Sequence, residues 1–311
     1  MNTIVVNSQS LRWSRPLADR IGLSSKKISA LHAISILPLL IERIRGARTI
    51  VIGPGRLQYI ITIIAKILFF DVLWIGEGAH SKPKHKAVAP LSRFPRHIIA
   101  PNQASEAHFL HSGITSARVT VIYPPTEHTN KRARPSSEQL IIGCDGSIPI
   151  KEGLGSLLQS MALVRDIASS VKLIIGGSIR DIDRINWIAR QLKLTNSIKL
   201  APSQTDTWVS EANVYALPQC HDATPPLSLL SAMSLGQAII ATDQLSHREF
   251  IEQNKNGIVV EPNNPEMFSQ AIINLARNPE WVAELGAENA RFAEAHLTQE
   301  IFDKKLAFIL Q

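Results

Sequence analysis

The sequence predicts an α/β protein of two doubly wound domains facing each other across a cleft. Three observations carry this expectation. Short apolar strands alternate with helical segments along nearly the whole chain, the pattern of parallel sheets covered on both faces. The alternation breaks once, in the polar, proline-containing stretch 124–137 (PPTEHTNKRARPSS), and then restarts. Finally, 311 residues are too many for one ordinary core and suit two.

In the first half, strands are expected at 3–6, 49–53, 71–75, 97–100 and 119–123, with helices near 36–45, 57–69 and 103–112. The most apolar stretch, 57–75 (LQYIITIIAKILFFDVLWI), is about as long as the ~20 residues of a membrane-spanning helix. Lys66 and Asp71 would each be costly at mid-bilayer. The run also divides at Phe70/Asp71, so it reads as a buried helix followed by a β-branched strand. The second half restarts with a strand at 139–143, then helix 153–165, strand 171–176, helix 181–193 and strand 198–200. A short helix at 205–211, strand 213–217, helix 225–235, strand 238–242, helix 246–253 and strand 257–261 follow. Helices close the chain, two of them opening on Asn264-Pro265 and Asn278-Pro279, an N-cap followed by proline in the first turn. In such sheets ligands bind beyond the carboxyl ends of the strands.

With 45% hydrophobic and 19% charged residues, the chain is neither disordered nor fibrous. Two cysteines, Cys144 and Cys220, are too few for a disulfide framework or a four-thiolate zinc site, so a reducing, cytoplasmic compartment is expected. The opening residues lack a basic region followed by a long apolar stretch, and no signal peptide is expected. The net charge of +7 is uneven. Residues 1–136 hold 19 Lys and Arg against 6 Asp and Glu, and the remainder holds 14 against 20. A basic half suits a polyanion: nucleic acid, an anionic membrane surface or a phosphorylated substrate. It suits a solvated face serving solubility equally well.

Three segments carry candidate chemistry. Gly53-Pro54-Gly55 follows a strand and precedes a helix, where backbone amides can hold a phosphate. A dinucleotide fingerprint needs a further glycine where Gln58 stands, so a plain tight turn is the simpler reading. The loop Gly143–Gly153 places Lys151 at a helix start, suited to a diphosphate, although a lone lysine there is also an ordinary solvated one. The segment Pro218–Gly236 has Asp222 or Thr224 to cap a helix, with Pro225 or Pro226 in its first turn. Leu227, Leu230 and Met233 fall at helical spacing and read as core. The helix start faces the strand's carboxyl edge, where an anion would sit.

The order of these pieces resembles the retaining glycosyltransferases of the GT-B fold, the group 1 (family 4) set. The resemblance rests on Ile98-Ile99-Ala100-Pro101-Asn102 and Val119-Thr120-Val121-Ile122-Tyr123-Pro124-Pro125 before the linker, then the lysine loop. Leu173-Ile174-Ile175-Gly176-Gly177, Ala238-Ile239-Ile240-Ala241-Thr242-Asp243 and Asn256-Gly257-Ile258-Val259-Val260-Glu261-Pro262 follow in the family's sequence order. It covers residues 97–297. It implies two Rossmann-like domains: 1–130 on the acceptor side, with room for 298–311 to pack back on it, and 137–297 binding a nucleotide diphosphate sugar. It also implies no metal, no nucleic acid, and retention of anomeric configuration. The expected donor-binding residues are Gly143, Lys151, Gly176, Asp222, Thr224, Pro226, Leu227 and Ser231.

The sequence departs from the family pattern at the paired glutamates of its Glu-x7-Glu motif, which would fall at Ala223 and Ser231. The arginine that opens the lysine loop is replaced by Cys144 or Asp145, and the glycine loop after the first strand reads Asn7-Ser8-Gln9-Ser10. Glu77 and His80, at a strand's carboxyl end, are the candidate catalytic acid/base residues, and His80 reads equally as structural. Lys82, Lys84 and Lys86 beside them suit a phosphorylated or lipid-linked acceptor, or form a solvated loop. The expected activity is hexosyl transfer to a saccharide or lipid-linked acceptor in polysaccharide biosynthesis, with peripheral placement at the inner membrane face. The rival reading is a degenerate GT-B protein that binds a sugar or partner without catalysis.

Overall fold

The computed structural model describes residues 3–7, 26–29, 37–52, 58–75, 94–126, 139–203, 206–221 and 227–310. The chain divides into two compact units, Met1–Pro125 with Glu300–Gln311, and Thr126–Gln299.

The first unit is a six-stranded parallel sheet. Its strands are β1 (Thr3–Asn7), β2 (Lys26–Ser29), β3 (Thr49–Ile52), β4 (Asp71–Ile75), β5 (His97–Ala100) and β6 (Val119–Val121), in the order β2-β1-β3-β4-β5-β6. Three helices, α1 (Leu37–Ile44), α2 (Gln58–Ile67) and α3 (Gln103–His111), accompany them. The two-residue period of a strand sorts the core into two layers. Ile50, Ile52, Val72, Trp74, Ile98 and Ala100 pack with Leu39 of α1, Ile61 of α2 and Phe109 of α3. The alternate residues Val51, Leu73, Ile75 and Ile99 pack instead against Phe302, Leu306 and Ile309 of the chain's closing helix (Gln299–Leu310). Lys305 of that helix donates to the Val121 carbonyl at 3.3 Å and lies over the Tyr123 ring.

The apolar run 57–75 is the helix–strand pair its charges suggest. Between α2 and β4, Phe69 turns the chain at φ 60°, and Trp74 donates its indole N–H to Thr62 at 2.8 Å. No helix among the described residues is long and apolar enough to cross a membrane. Strand β2 was not expected: Lys26-Lys27-Ile28-Ser29 has no apolar run, and it lies at the sheet's edge.

The second unit is also six-stranded and parallel. In chain order it comprises β7 (Ile141–Asp145), α4 (Leu154–Arg165), β8 (Lys172–Gly177), α5 (Ile182–Gln191), β9 (Ile198–Pro202) and β10 (Val214–Leu217). Next come α6 (Leu227–Ser234), β11 (Ala238–Thr242), α7 (Leu245–Arg248), β12 (Gly257–Val260), α8 (Pro265–Arg277) and α9 (Pro279–His296), before the closing helix α10. The strand order β12-β11-β10-β7-β8-β9 is the doubly wound one, and it reverses direction between β7 and β10. Residues of β10 and β11 are buried throughout, because helices cover both faces.

Two expectations are corrected here. Helix 246–253 is only Leu245–Arg248, because the Asn256 side chain takes the Phe250 carbonyl and the Glu252 amide and winds the rest into a loop. Of the two Asn-Pro starts, Asn264 caps its helix by accepting from the Met267 amide at 3.0 Å. Asn278 instead donates its side-chain amide to Asn274, closing the end of the preceding helix.

Candidate functional site

At the reversal point, the segments leaving β7 and β10 lie side by side at the carboxyl edge of the second sheet, the position where open α/β sheets bind ligands. The loop after β7 runs into a short 3-10 turn, Ile150–Glu152, and then into α4. It is stitched to the segment after β10. The Cys220 amide donates to the Glu152 carbonyl at 2.9 Å, and Gly153 at φ 132° lies so close to the Pro218 carbonyl that no Cβ fits. The neighbouring strand joins the same seam. His247, buried, bonds the Thr242 carbonyl through Nδ1 at 2.8 Å and sets Nε2 3.3 Å from the Gln219 side-chain oxygen.

Beneath this seam is a buried polar chain that sequence reading did not anticipate. Asp145, the last residue of β7, accepts from the Ser147 amide at 2.8 Å and from the Ser228 hydroxyl at 2.7 Å. Ser228, in the first turn of α6, accepts in turn from the Tyr215 hydroxyl of β10 at 2.7 Å. All three side chains are buried. The carboxylate thus fixes the loop, the helix start and the central strand to one another. The Asp145-Gly146-Ser147 order was its one local signal, an aspartate bonding its own backbone two residues on. The Asp145→Ala variant loses these bonds and is expected to be less stable by about 2–4 kcal/mol in urea denaturation. A loss below ~0.5 kcal/mol would show that the chain is not holding the seam.

The sequence-derived site residues fall into three groups. Lys151 is exposed in the 3-10 turn and forms no ion pair among the described residues, while Leu227 and Ser231 are half-buried on α6. Gly143 and Gly176 sit instead under the site, where their missing side chains make room for Trp208. A Cβ at Gly143 would stand 3.2 Å from the indole, and one at Gly176 would overlap it. Asp222, Thr224 and Pro226, with Glu77 and His80, lie outside the described residues, as do Gly53-Pro54-Gly55 and Lys82, Lys84 and Lys86.

Four amides of the lysine loop are already engaged. The amides of Gly146, Ser147, Ile148 and Glu152 are all bonded within the unit, the first to Gly176 and the others inside the loop. The charge this loop offers an anion is the Lys151 ammonium. The second contribution comes from α6, since the first amides of a helix have no partner within it and carry the positive end of its dipole. Cys144, where an arginine was looked for, is wholly buried. Burial first, and then the Asp145 charge, push its thiol well above the usual range, so it stays neutral.

Comparison with known proteins places this arrangement. Residues 139–278 match the family described as glycosyl transferases group 1. The putative glycosyltransferase EpsD of Bacillus subtilis is 32% identical over 87 residues, 27% of this chain and 23% of that protein. An uncharacterized glycosyltransferase of Haemophilus influenzae is 24% identical over 133 residues, 42% of this chain and 37% of that protein. The matched stretches therefore span less than two fifths of those relatives' lengths. Among solved structures, HepE of Anabaena in complex with UDP superposes with a TM-score of 0.82 at 15% identity, over 100% of this chain and 99% of that one. A glycosyltransferase from Rickettsia africae gives 0.82 at 13% identity, over 99% and 97%. At such identities the likeness is one of fold.

Proposed function

We propose, from the match of residues 139–278 to the glycosyl transferases group 1 and from the GT-B fold, that the protein transfers a sugar from a nucleotide diphosphate sugar to an acceptor. The observation that carries this reading is the seam at the β7/β10 reversal point. There Lys151, whose ammonium has no counter-ion among the described residues, sits beside the segment leaving β10, its carbonyl 3.7 Å from the Cys220 sulfur.

In this reading the diphosphate lies against the Lys151 ammonium and the first amides of α6. Both stabilise the negative charge that builds on the leaving group, and no metal ion is required. Leu227 and Ser231 border the nucleoside, with Ser231 offering one neutral hydrogen bond where a family member would offer a carboxylate. The donor is a hexose, transferred with retention by an acid/base from the first unit, Glu77 or His80. The acceptor is a saccharide or lipid-linked saccharide of an envelope or exported polysaccharide. The basic first 136 residues suit a phosphorylated acceptor or an anionic bilayer surface at the cytoplasmic face.

The test is thermal shift of the purified protein against UDP-, GDP- and ADP-sugars. Ligand that binds only the folded state adds RT ln(1 + [L]/Kd), about 2.7 kcal/mol at a hundredfold excess over Kd. One nucleotide is expected to raise the midpoint. No shift with any of them would contradict the reading.

A further inference from the structure

A second cavity in the same unit has a lining of a different kind. It has a volume of about 440 Å³, within the range of small-molecule sites, and lies between α4 and α5 beside the 3-10 turn that carries Lys151. Trp187 of α5 borders it with 61% of its surface exposed, unusual for so large an apolar side chain. The polar part of the lining is Ser156, Gln159, Gln191 and Asn263, and the rest is aliphatic or glycine, Ile150 among it. No charged side chain lines it among the described residues. The four polar side chains also make no hydrogen bond with other described residues, so their donors and acceptors are open to a ligand. The larger cavity of about 840 Å³ differs in kind: it is lined by ions already paired, Arg248 with Asp243, Lys255 with Glu252 and Arg291 with Glu288.

We propose that the Trp187 groove binds a neutral oligosaccharide, at a site separate from the nucleotide-sugar site. A pyranose ring has a face of C–H bonds, slightly positive, which stacks on the negative face of an indole. Its hydroxyls each donate and accept. Carboxamides and a serine hydroxyl are the side chains that do both without a charge. An anionic ligand would find no cation in the groove and a cationic one no carboxylate. A purely apolar ligand would leave the carboxamides and the serine dry and unpaired. A saccharide held there sits next to Ile150, one residue from Lys151, so a growing or acceptor glycan stays tethered beside the transfer site between turnovers. That purpose rests on the sugar-transfer reading; the binding chemistry does not.

The test uses malto-, cello- and β-galacto-oligosaccharides of four to seven units, with binding read by saturation-transfer NMR and titration calorimetry on the full chain. At least one series is expected to bind with saturation transfer to ring C–H protons. Trp187→Ala should weaken it at least about tenfold and Gln191→Ala about threefold. The thermal shift given by a nucleotide sugar should be unchanged in both variants. Because Trp187 is largely exposed, its loss leaves the core intact. Three outcomes overturn the proposal: no neutral oligosaccharide binds, Trp187→Ala binds as tightly as the parent, or the parent is a dimer by light scattering that Trp187→Ala dissociates. A chain that binds oligosaccharide but no nucleotide sugar would sink the transfer reading and leave the groove standing; the reverse would sink the groove alone.

Discussion

Replacing Lys151 with alanine is expected to lower turnover at least ~100-fold while leaving the fold in place. Its ammonium is exposed, so folding does not depend on burying it. The turn that carries it is held by main-chain bonds, from Glu152 to Pro149 and from Cys220 to Glu152, that the substitution does not touch. No other cationic side chain lies in that loop to replace the lost charge. The loss should fall on kcat more than on KM, because the leaving diphosphate is most negative in the transition state. Arginine at the same position should recover part of the rate, since it restores charge with a different reach. Steady-state kinetics with the donor found by thermal shift would decide it. Near-normal turnover in Lys151→Ala would remove this residue from the mechanism.

The Gly153→Ala variant is expected to lose about 3 kcal/mol of stability or more, with the donor thermal shift lost alongside it. Two costs coincide there. At φ 132° the backbone occupies a region that L side chains rarely adopt, and the new methyl group would overlap the Pro218 carbonyl oxygen. Relief would require the segments after β7 and β10 to part, opening the seam that holds the Lys151 turn against Pro218 and Cys220. Gly113→Ala separates the two costs. Its φ is 83°, yet nothing lies within 4 Å of the added atom, so it should lose only about 1 kcal/mol. Guanidinium denaturation of the two variants provides the comparison. Equal losses would mean that the Pro218 segment yields and that the seam is soft.

The fold was largely legible because its signals are local. Strands such as Ile239–Ala241 and Val72–Ile75 are buried on both faces and so read as continuous apolar runs, and the polar linker marks where the pattern restarts. Edge strand β2 lacked that signal, since an edge need not be apolar. The site was less legible. Lys151 stands out because a lysine just before a glycine turn is visible in the chain itself. The Asp145–Ser228–Tyr215 chain joins residues up to 83 positions apart, and they meet only because β10 returns to lie beside β7. Gly143 and Gly176 have a role in packing that the chain alone does not reveal. The family resemblance names them as donor-binding residues, and only the packed structure shows that Trp208 fills the space beside them.

The placement of α10 has a consequence for synthesis. The second unit is one continuous segment, whereas the first closes one side of its sheet with Phe302, Leu306 and Ile309. On the ribosome, Val51, Leu73, Ile75, Ile99 and Ile122 therefore emerge early and wait for these partners, the ones that cover them among the described residues, through nearly two hundred residues of translation. The half made first completes its core last. In that interval an apolar sheet face is open to chaperones or to aggregation. Deleting α10 would prolong that exposure indefinitely, and insolubility of the nascent protein is the form in which the defect would be seen.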